Sequence, residues 1–245
     1  MRENEYSNMF IHEESYWWYR VLDSLVLFYV KKHIRSKKKD ISMLDAGCGT
    51  GRMMKKLLVY GDVEGFDYAP EAIHFCKKRG LTKVQQQDIN TWLPVSGIYD
   101  VVICLDVLYH QAIINDVQVL ESIYHSLKPG GIVILNVPAF SLLRRRHDKQ
   151  VFGARRYRRK SLKNNMKGIG FDIQKATYRL PYIFCILLAK KIFEYVKRDM
   201  NVRSDLQRLP KIIDRSLYVV GMIENRLIPF ISFPFGSSLF IVAKK

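Results

Sequence analysis

Between Ser42 and Gly51 the sequence reads SMLDAGCGTG, with glycines at alternate positions 47, 49 and 51 directly after an aliphatic stretch and an Asp. Ordering glycine costs more chain entropy than ordering any other residue, so three in five residues mark a main chain that turns sharply or approaches something closely. Ile41 to Leu44 reads as the end of a short buried strand, and Met53, Met54, Leu57 and Leu58 recur at helical spacing up to Gly61. The order is strand, glycine loop, helix, as in the opening of nucleotide-binding α/β crossovers.

A second acidic residue narrows the ligand. In DVEGFDYAP, Val63 to Phe66 reads as a strand ending in Asp67, which follows Asp45 by about the twenty residues at which a carboxylate meets ribose hydroxyls. Dinucleotide oxidoreductases and methyltransferases that use S-adenosylmethionine share this layout. The dinucleotide fingerprint is G-x-G-x-x-G, which seats a pyrophosphate at a helix N-terminus. Here the run is G-x-G-x-G and Arg52 follows. The spacing therefore favours a mononucleoside carrying an amino acid over a nicotinamide dinucleotide.

Three further segments, QQQDINTW, YDVVICLDVLYH and LKPGGIVILNVP, follow in order. From Ser42 to Pro138 the chain resembles the class I methyltransferases that use S-adenosylmethionine. The resemblance implies a Rossmann-like α/β fold: a seven-stranded, mostly parallel sheet with an antiparallel last strand and helices on both faces. It implies that Gly47, Gly49 and Gly51 pass beneath the methionine part of the cofactor, with Asp45 holding the loop and the ammonium. Asp67 would bind both ribose hydroxyls, since an ionised carboxylate accepts and can take two donors. Asp88 would accept from the adenine amine while Ile89 covers the ring, and Tyr68 and Leu105 complete the cofactor set. No metal site is implied.

Length and composition accommodate one such domain. With 245 residues and 48% hydrophobic content the chain can bury a full core, so residues 1–245 read as one methyltransferase domain with additions. These are an N-terminal helical lid over 1–40 and a cofactor-binding core over 41–180 that includes a basic loop at 144–160. A helical insertion follows over 181–235, before a last strand within 236–245. Cys48, Cys76, Cys104 and Cys185 lack paired metal spacing and read as reduced thiols of a cytoplasmic protein. The N-terminal MRENEYSNMF lacks the apolar region of a signal peptide.

The formal net charge of +17 calls for an acidic partner: a nucleic acid, an anionic membrane or a phosphorylated substrate. From Arg144 to Lys160, nine Lys or Arg stand against one Asp, on the side of the sheet where open parallel folds bind ligands. The stretch LPYIFCILLAKKIFEYVKR, Leu180 to Arg198, is apolar at first and then interleaves Ile192, Phe193 and Val196 with Lys190, Lys191, Lys197 and Arg198. That pattern suits either a helix at the inner face of the membrane or an ordinary core-packed helix. The apolar run Leu180 to Ala189 would be about 15 Å long as a helix, against about 30 Å of hydrocarbon, so it does not span.

Three stretches outside the core, YWWYR, the HD and RRY after the fifth strand, and FPFGSSLFIVAKK, are similar to a bacterial subgroup associated with cell-envelope glycan or lipid-linked sugar metabolism. The implied acceptor is a small molecule, glycan or lipid-linked compound, with an anionic group held by Arg155, Arg156 and Tyr157. Arg20 and Tyr109 are further candidates for contact with the acceptor. If the acceptor is a neutral hydroxyl it needs a base, and His110 and then His147 beside Asp148 are the candidates. The competing reading is an RNA methyltransferase or a basic RNA-binding module, in which the aromatic-basic stretch Arg155 to Lys160 grips phosphates and stacks a base. The oligomeric state is left open.

Overall fold

The computed structural model describes residues 3–35, 41–144, 152–197 and 209–245. Two helices, α1 (Glu3–His12) and α2 (Trp17–Ile34), precede the sheet. Strand β1 (Ser42–Ala46) passes through the glycine loop into α3 (Arg52–Leu57), followed by β2 (Asp62–Asp67), α4 (Pro70–Lys78) and β3 (Val84–Gln86). The second half runs β4 (Tyr99–Leu105), α5 (Asp116–Ser126), β5 (Leu127–Pro138), α6 (Arg159–Ile169) and β6 (Asp172–Arg179). Two helices, α7 (Pro181–Lys197) and α8 (Lys211–Leu227), come before β7 (Ser238–Lys244).

The seven strands form one sheet in the order β3-β2-β1-β4-β5-β7-β6. Pairings among β1 to β5 are parallel, and β7 inserts antiparallel between β5 and β6. The fold is thus the mostly parallel Rossmann-like sheet expected, its last strand reversed. The chain leaves β1 in one direction and returns on its other side at β4, which opens a crevice at the carboxyl ends of β1 and β4. The glycine loop lies at that switch point.

Central strands carry apolar residues on both faces because helices cover both. Along β4, Val102 and Cys104 join Leu44, Val133 and Leu120 on one side, while Val101 and Ile103 join Met43, Ile134 and Leu25 on the other. The period of two thus divides one strand between two cores. At the edge the VQQ of β3 is only partly covered, as suits a strand with one neighbour.

The insertion is anchored at both ends. Helix α8 packs on α2, where a Cβ at Gly221 would stand 2.7 Å from Val21 Cγ2 and Asn225 Nδ2 donates to Val21 O at 2.7 Å. At the far end of the sheet Arg179 and Pro138 both register with Ser238, so β6 ends at the same edge as β5. No described helix is long and apolar enough to cross a membrane.

Candidate active site

The glycine loop is tied to the end of the neighbouring strand. Gly47 N and Cys48 N both donate to Phe66 O at 2.9 Å, one residue before Asp67. Gly47 has φ 81°, a left-handed backbone that L side chains rarely adopt, and a Cβ there would meet Val107 Cγ2 at 2.3 Å. Gly49 and Gly51 are also left-handed, and a Cβ on Gly51 would meet Leu81 Cδ1 at 2.4 Å, so the loop packs closely without side chains at these positions. Asp45, at the end of β1, is 3% exposed. Burial pushes its carboxyl up to about 7, against the nearby positive charge of Arg52 and with the help of Asp67 and Asp23.

Asp67 stands at the carboxyl end of β2, and its carboxylate is fixed by the main chain. Oδ2 accepts Gly49 N at 2.9 Å and Oδ1 accepts Ala69 N at 3.0 Å. A carboxylate offers about four lone-pair sites; with two taken by the main chain and Tyr6 within hydrogen-bond reach, two hydroxyl donors fit only where they displace Tyr6. Burial raises its pKa above the usual carboxylate value, and the two main-chain donors work against that rise. Asp88 Oδ1 accepts both Asn90 N at 2.9 Å and Asn90 Nδ2 at 2.7 Å. Asn90 in turn bonds Ala112 O and Ile114 N, joining this loop to the one after β4. Ile89 is buried, Leu105 half-buried and Tyr68 exposed.

The two N-terminal helices lie over the loop. Met9 Cε would be 3.0 Å from a Cβ at Gly49, and Tyr6 is buried with Ala69 and Ala72, close enough to Asp67 for a side-chain hydrogen bond. A buried ionic cluster ties these helices to the glycine loop and α3. Glu13 bonds Thr50 Oγ1, Arg52 Nε at 3.3 Å and Arg79 Nη2, while Asp23 pairs with Arg52 Nη1 and with Lys56 Nζ at 2.7 Å. The Arg52 guanidinium also sits 4.7 Å from the centroid of the Tyr19 ring. Glu14, exposed, reaches Arg79 Nη1 at 2.9 Å.

A fourth carboxylate, Asp106, stands at the end of β4, one that the sequence reading passed over. Asp106 has φ 54°, a conformation costing of order 1–3 kcal/mol that persists where its surroundings fix it. Asn136 Nδ2 donates to both of its oxygens, at 3.0 and 3.1 Å. Behind Asn136 lies Arg179, fully buried, whose Nη1 donates to Asn136 Oδ1 at 3.3 Å. Burial lifts the Asp106 carboxyl to about 7, with Asn136 and Arg179 holding it down.

His110 and Tyr109 follow in the same loop. Ala112 N donates to His110 Nδ1 at 3.2 Å, so the neutral ring carries its proton on Nε2 and its lone pair is engaged. Burial lowers its pKa to about 4, which makes it a weak base. Tyr109 lies near Tyr6 and Tyr19 of the N-terminal helices. His147 lies outside the described residues.

Of the basic segment, residues 145–151 lie outside the described residues, and the part from Phe152 onward bonds to the loop after β4 and to the end of β5. Ala154 N and Arg155 N both donate to Tyr109 O, and Tyr157 N donates to Pro138 O. Arg155 reaches His110 O at 3.3 Å and Ile114 O at 3.2 Å, and Arg156 Nη1 reaches Ala139 O at 3.0 Å. A substrate anion would compete with these carbonyls for the same N–H groups. Tyr157 is buried, its hydroxyl within hydrogen-bond distance of Leu108 O and Asp116 Oδ2, so it is placed as an internal brace. Arg20 lies 3.9 Å over the Tyr218 ring, in the seam between α2 and α8.

A Rossmann-like sheet with a left-handed glycine loop and strand-end carboxylates at its switch point defines a nucleoside-binding α/β protein. The model of one such family, described as a methyltransferase domain, matches residues 37–168, more than half of the chain. The chain belongs to this methyltransferase domain family. It is 33% identical over 116 residues to a ubiquinone biosynthesis O-methyltransferase of Rickettsia prowazekii, which covers 44% of this chain and 45% of that protein. A tRNA U34 carboxymethyltransferase of Helicobacter pylori is 29% identical over 110 residues, 40% of this chain and 41% of that protein. The chain thus spans less than half the length of these relatives. A SAM-dependent methyltransferase from Archaeoglobus fulgidus has the same fold, with a TM-score of 0.57 at 19% identity over 91% of this chain and 94% of that one.

Proposed function

We propose that the protein transfers a methyl group from S-adenosylmethionine to a small-molecule, glycan or lipid-linked acceptor that carries an anionic group. One observation carries this reading. In a chain of net charge +17, the switch point places two carboxylates, Asp45 and Asp67, beside the left-handed glycine loop. That lining suits a ligand with positive charge and hydroxyl donors, not a pyrophosphate. S-adenosylmethionine, when bound, supplies an electrophilic methyl on a sulfonium. Asp67 would hold the ribose hydroxyls, Asp88 and Ile89 the adenine, and Asp45 the ammonium.

The chain's own contribution to rate is chiefly positioning, since displacement demands an in-line approach. Where the acceptor is a hydroxyl, Asp106 is better suited than His110 to take its proton. Its pKa near 7 matches the working range of a general base, and its carboxylate is oriented by Asn136. Arg156 and Arg155 remain the proposed contacts for the acceptor's anionic group, Tyr109 lines its approach beside the N-terminal helices, and a structural role fits Arg20 and Tyr157.

The test is mass spectrometry of cell-envelope extracts incubated with the protein and methyl-labelled S-adenosylmethionine. Label in a glycan or lipid-linked fraction supports the proposal. Label in RNA, together with RNA affinity falling steeply with salt, would instead favour the RNA methyltransferase reading. The peripheral, inner-face location proposed for the protein depends on the surface considered next.

A further inference from the structure

Helix α8 has two apolar faces, and among the described residues only one of them is packed. Its inner face is fixed on α2 through Gly221, Asn225 and the contacts around Val21. On the other side Ile212, Val219, Ile223 and Leu227 recur at helical spacing, and Phe230 in the following turn extends the row. These side chains are exposed, Ile212 by 81%, Ile223 by 53% and Phe230 by 85%. Isolated exposed apolar residues are ordinary, but a continuous stripe of this kind marks a surface with a partner.

The charges of the same helix identify that partner. Both acidic residues of α8 turn inward: Asp214 Oδ1 accepts Trp17 N at 3.1 Å, and Glu224, 5% exposed, accepts Leu180 N at 2.7 Å. Arg215 and Arg226 are exposed and lie together along one flank of the stripe at 100° per residue. The outward half of α8 therefore offers apolar side chains bordered by arginines and no carboxylate. That is the construction of a helix lying in a membrane interface, apolar residues toward the acyl chains and cations at the headgroups. Nearby Phe28, Ile231 and Phe235 are exposed as well.

We infer that the outer face of α8 seats the protein on an anionic phospholipid surface. This surface differs from α7, for which the sequence suits either an interfacial or a core-packed helix. Phe184 of α7 packs on Phe140 and Phe235, although Cys185 and Ile186 are exposed, and the side chains beyond Lys191 lie outside the described residues. A second copy of the chain is the less favourable occupant. A two-fold contact through this stripe would bring like-charged flanks into one interface of two chains already at +17.

Vesicle co-sedimentation tests this without cofactor or acceptor, so its outcome is independent of the methyltransferase reading. Wild-type protein should pellet with phosphatidylglycerol vesicles at low salt and be released as salt rises. Ile223→Glu with Leu227→Glu should reduce partitioning at least tenfold. Arg215→Gln and Arg226→Gln should each reduce it about fivefold, the effect of one cation at an anionic surface. Thermal melts of all variants establish that they fold, and the arginine variants carry the test if the glutamates do not. Unchanged partitioning in both sets would overturn the inference. So would a wild type that ignores these vesicles and sediments as a dimer dissociated by Ile223→Glu.

Discussion

Asn136 of β5 donates its side-chain amide to both carboxylate oxygens of Asp106, at 3.0 and 3.1 Å, across the carboxyl ends of two adjacent strands. The pair holds a left-handed Asp at the end of β4, and Arg179 completes it from behind. If Asp106 is the base, Asp106→Asn should lower kcat about 10²- to 10⁴-fold while S-adenosylmethionine affinity stays near wild type. The rate should rise with pH through about 7, because the ionised form accepts the proton and burial places its pKa there. Asn136→Ala removes two donors to the carboxylate, so the same rise should move to higher pH. Single-turnover rates from pH 5 to 9 check both statements.

A second pH effect belongs to Asp45. Its folded pKa is raised above the ordinary value of 3.8 to about 7, so the folded state binds the extra proton between those limits. The stability it contributes is present below about pH 4 and is lost as pH rises through about 7. The melting temperature of wild type should therefore fall relative to Asp45→Asn over that window. A cationic ligand favours the ionised carboxylate, so S-adenosylmethionine affinity should increase from pH 6 to 8 in wild type and stay flatter in the variant.

Much of this region was legible in the sequence because it is locally encoded. The glycine loop and Asp67 fall at strand ends whose apolar runs are plain, whereas Asp88 follows the polar VQQ of β3 and was legible only through the family resemblance; the expected first strand, Ile41 to Leu44, differs from β1 only by a shift at its ends. Asp106 stands one residue beyond Leu105 and carries the same strand-end signal, while His110, four residues on, has the more obvious base chemistry. Arg179 gave no local signal. An arginine at the end of DIQKATYR reads as exposed, and only pairing with β7 beside β5 places it behind Asn136. Glu13 was equally silent, since its partners Thr50, Arg52 and Arg79 are distant in sequence.

That buried cluster should be costly to break. Removing one partner of a buried ion pair leaves uncompensated charge and typically costs roughly 3–5 kcal/mol. Glu13→Ala should destabilise the protein by less than that, about 1–3 kcal/mol in denaturant titrations, because Arg52 keeps Asp23 and Arg79 keeps Glu14 and Thr50 O. Glu14→Ala, on the exposed pair with Arg79, should change stability by less than about 1 kcal/mol.

For the acceptor, Arg156→Lys replaces a planar fork by a single ammonium. The Michaelis constant for the acceptor should rise while S-adenosylmethionine binding is preserved. Wild-type kinetics for both Arg156→Lys and Arg155→Lys would return these side chains to bracing the carbonyls of Ala139, His110 and Ile114.

The most direct measurement is calorimetric titration of S-adenosylmethionine into wild type and Asp67→Ala. The carboxylate pinned by Gly49 N and Ala69 N is proposed to take two ribose hydroxyls. Its loss should weaken binding by roughly 2–4 kcal/mol, the range for two hydrogen bonds to a charged acceptor, with one site per chain in the wild type. Equal affinity in the two proteins, or a wild type that binds no S-adenosylmethionine, would contradict the account.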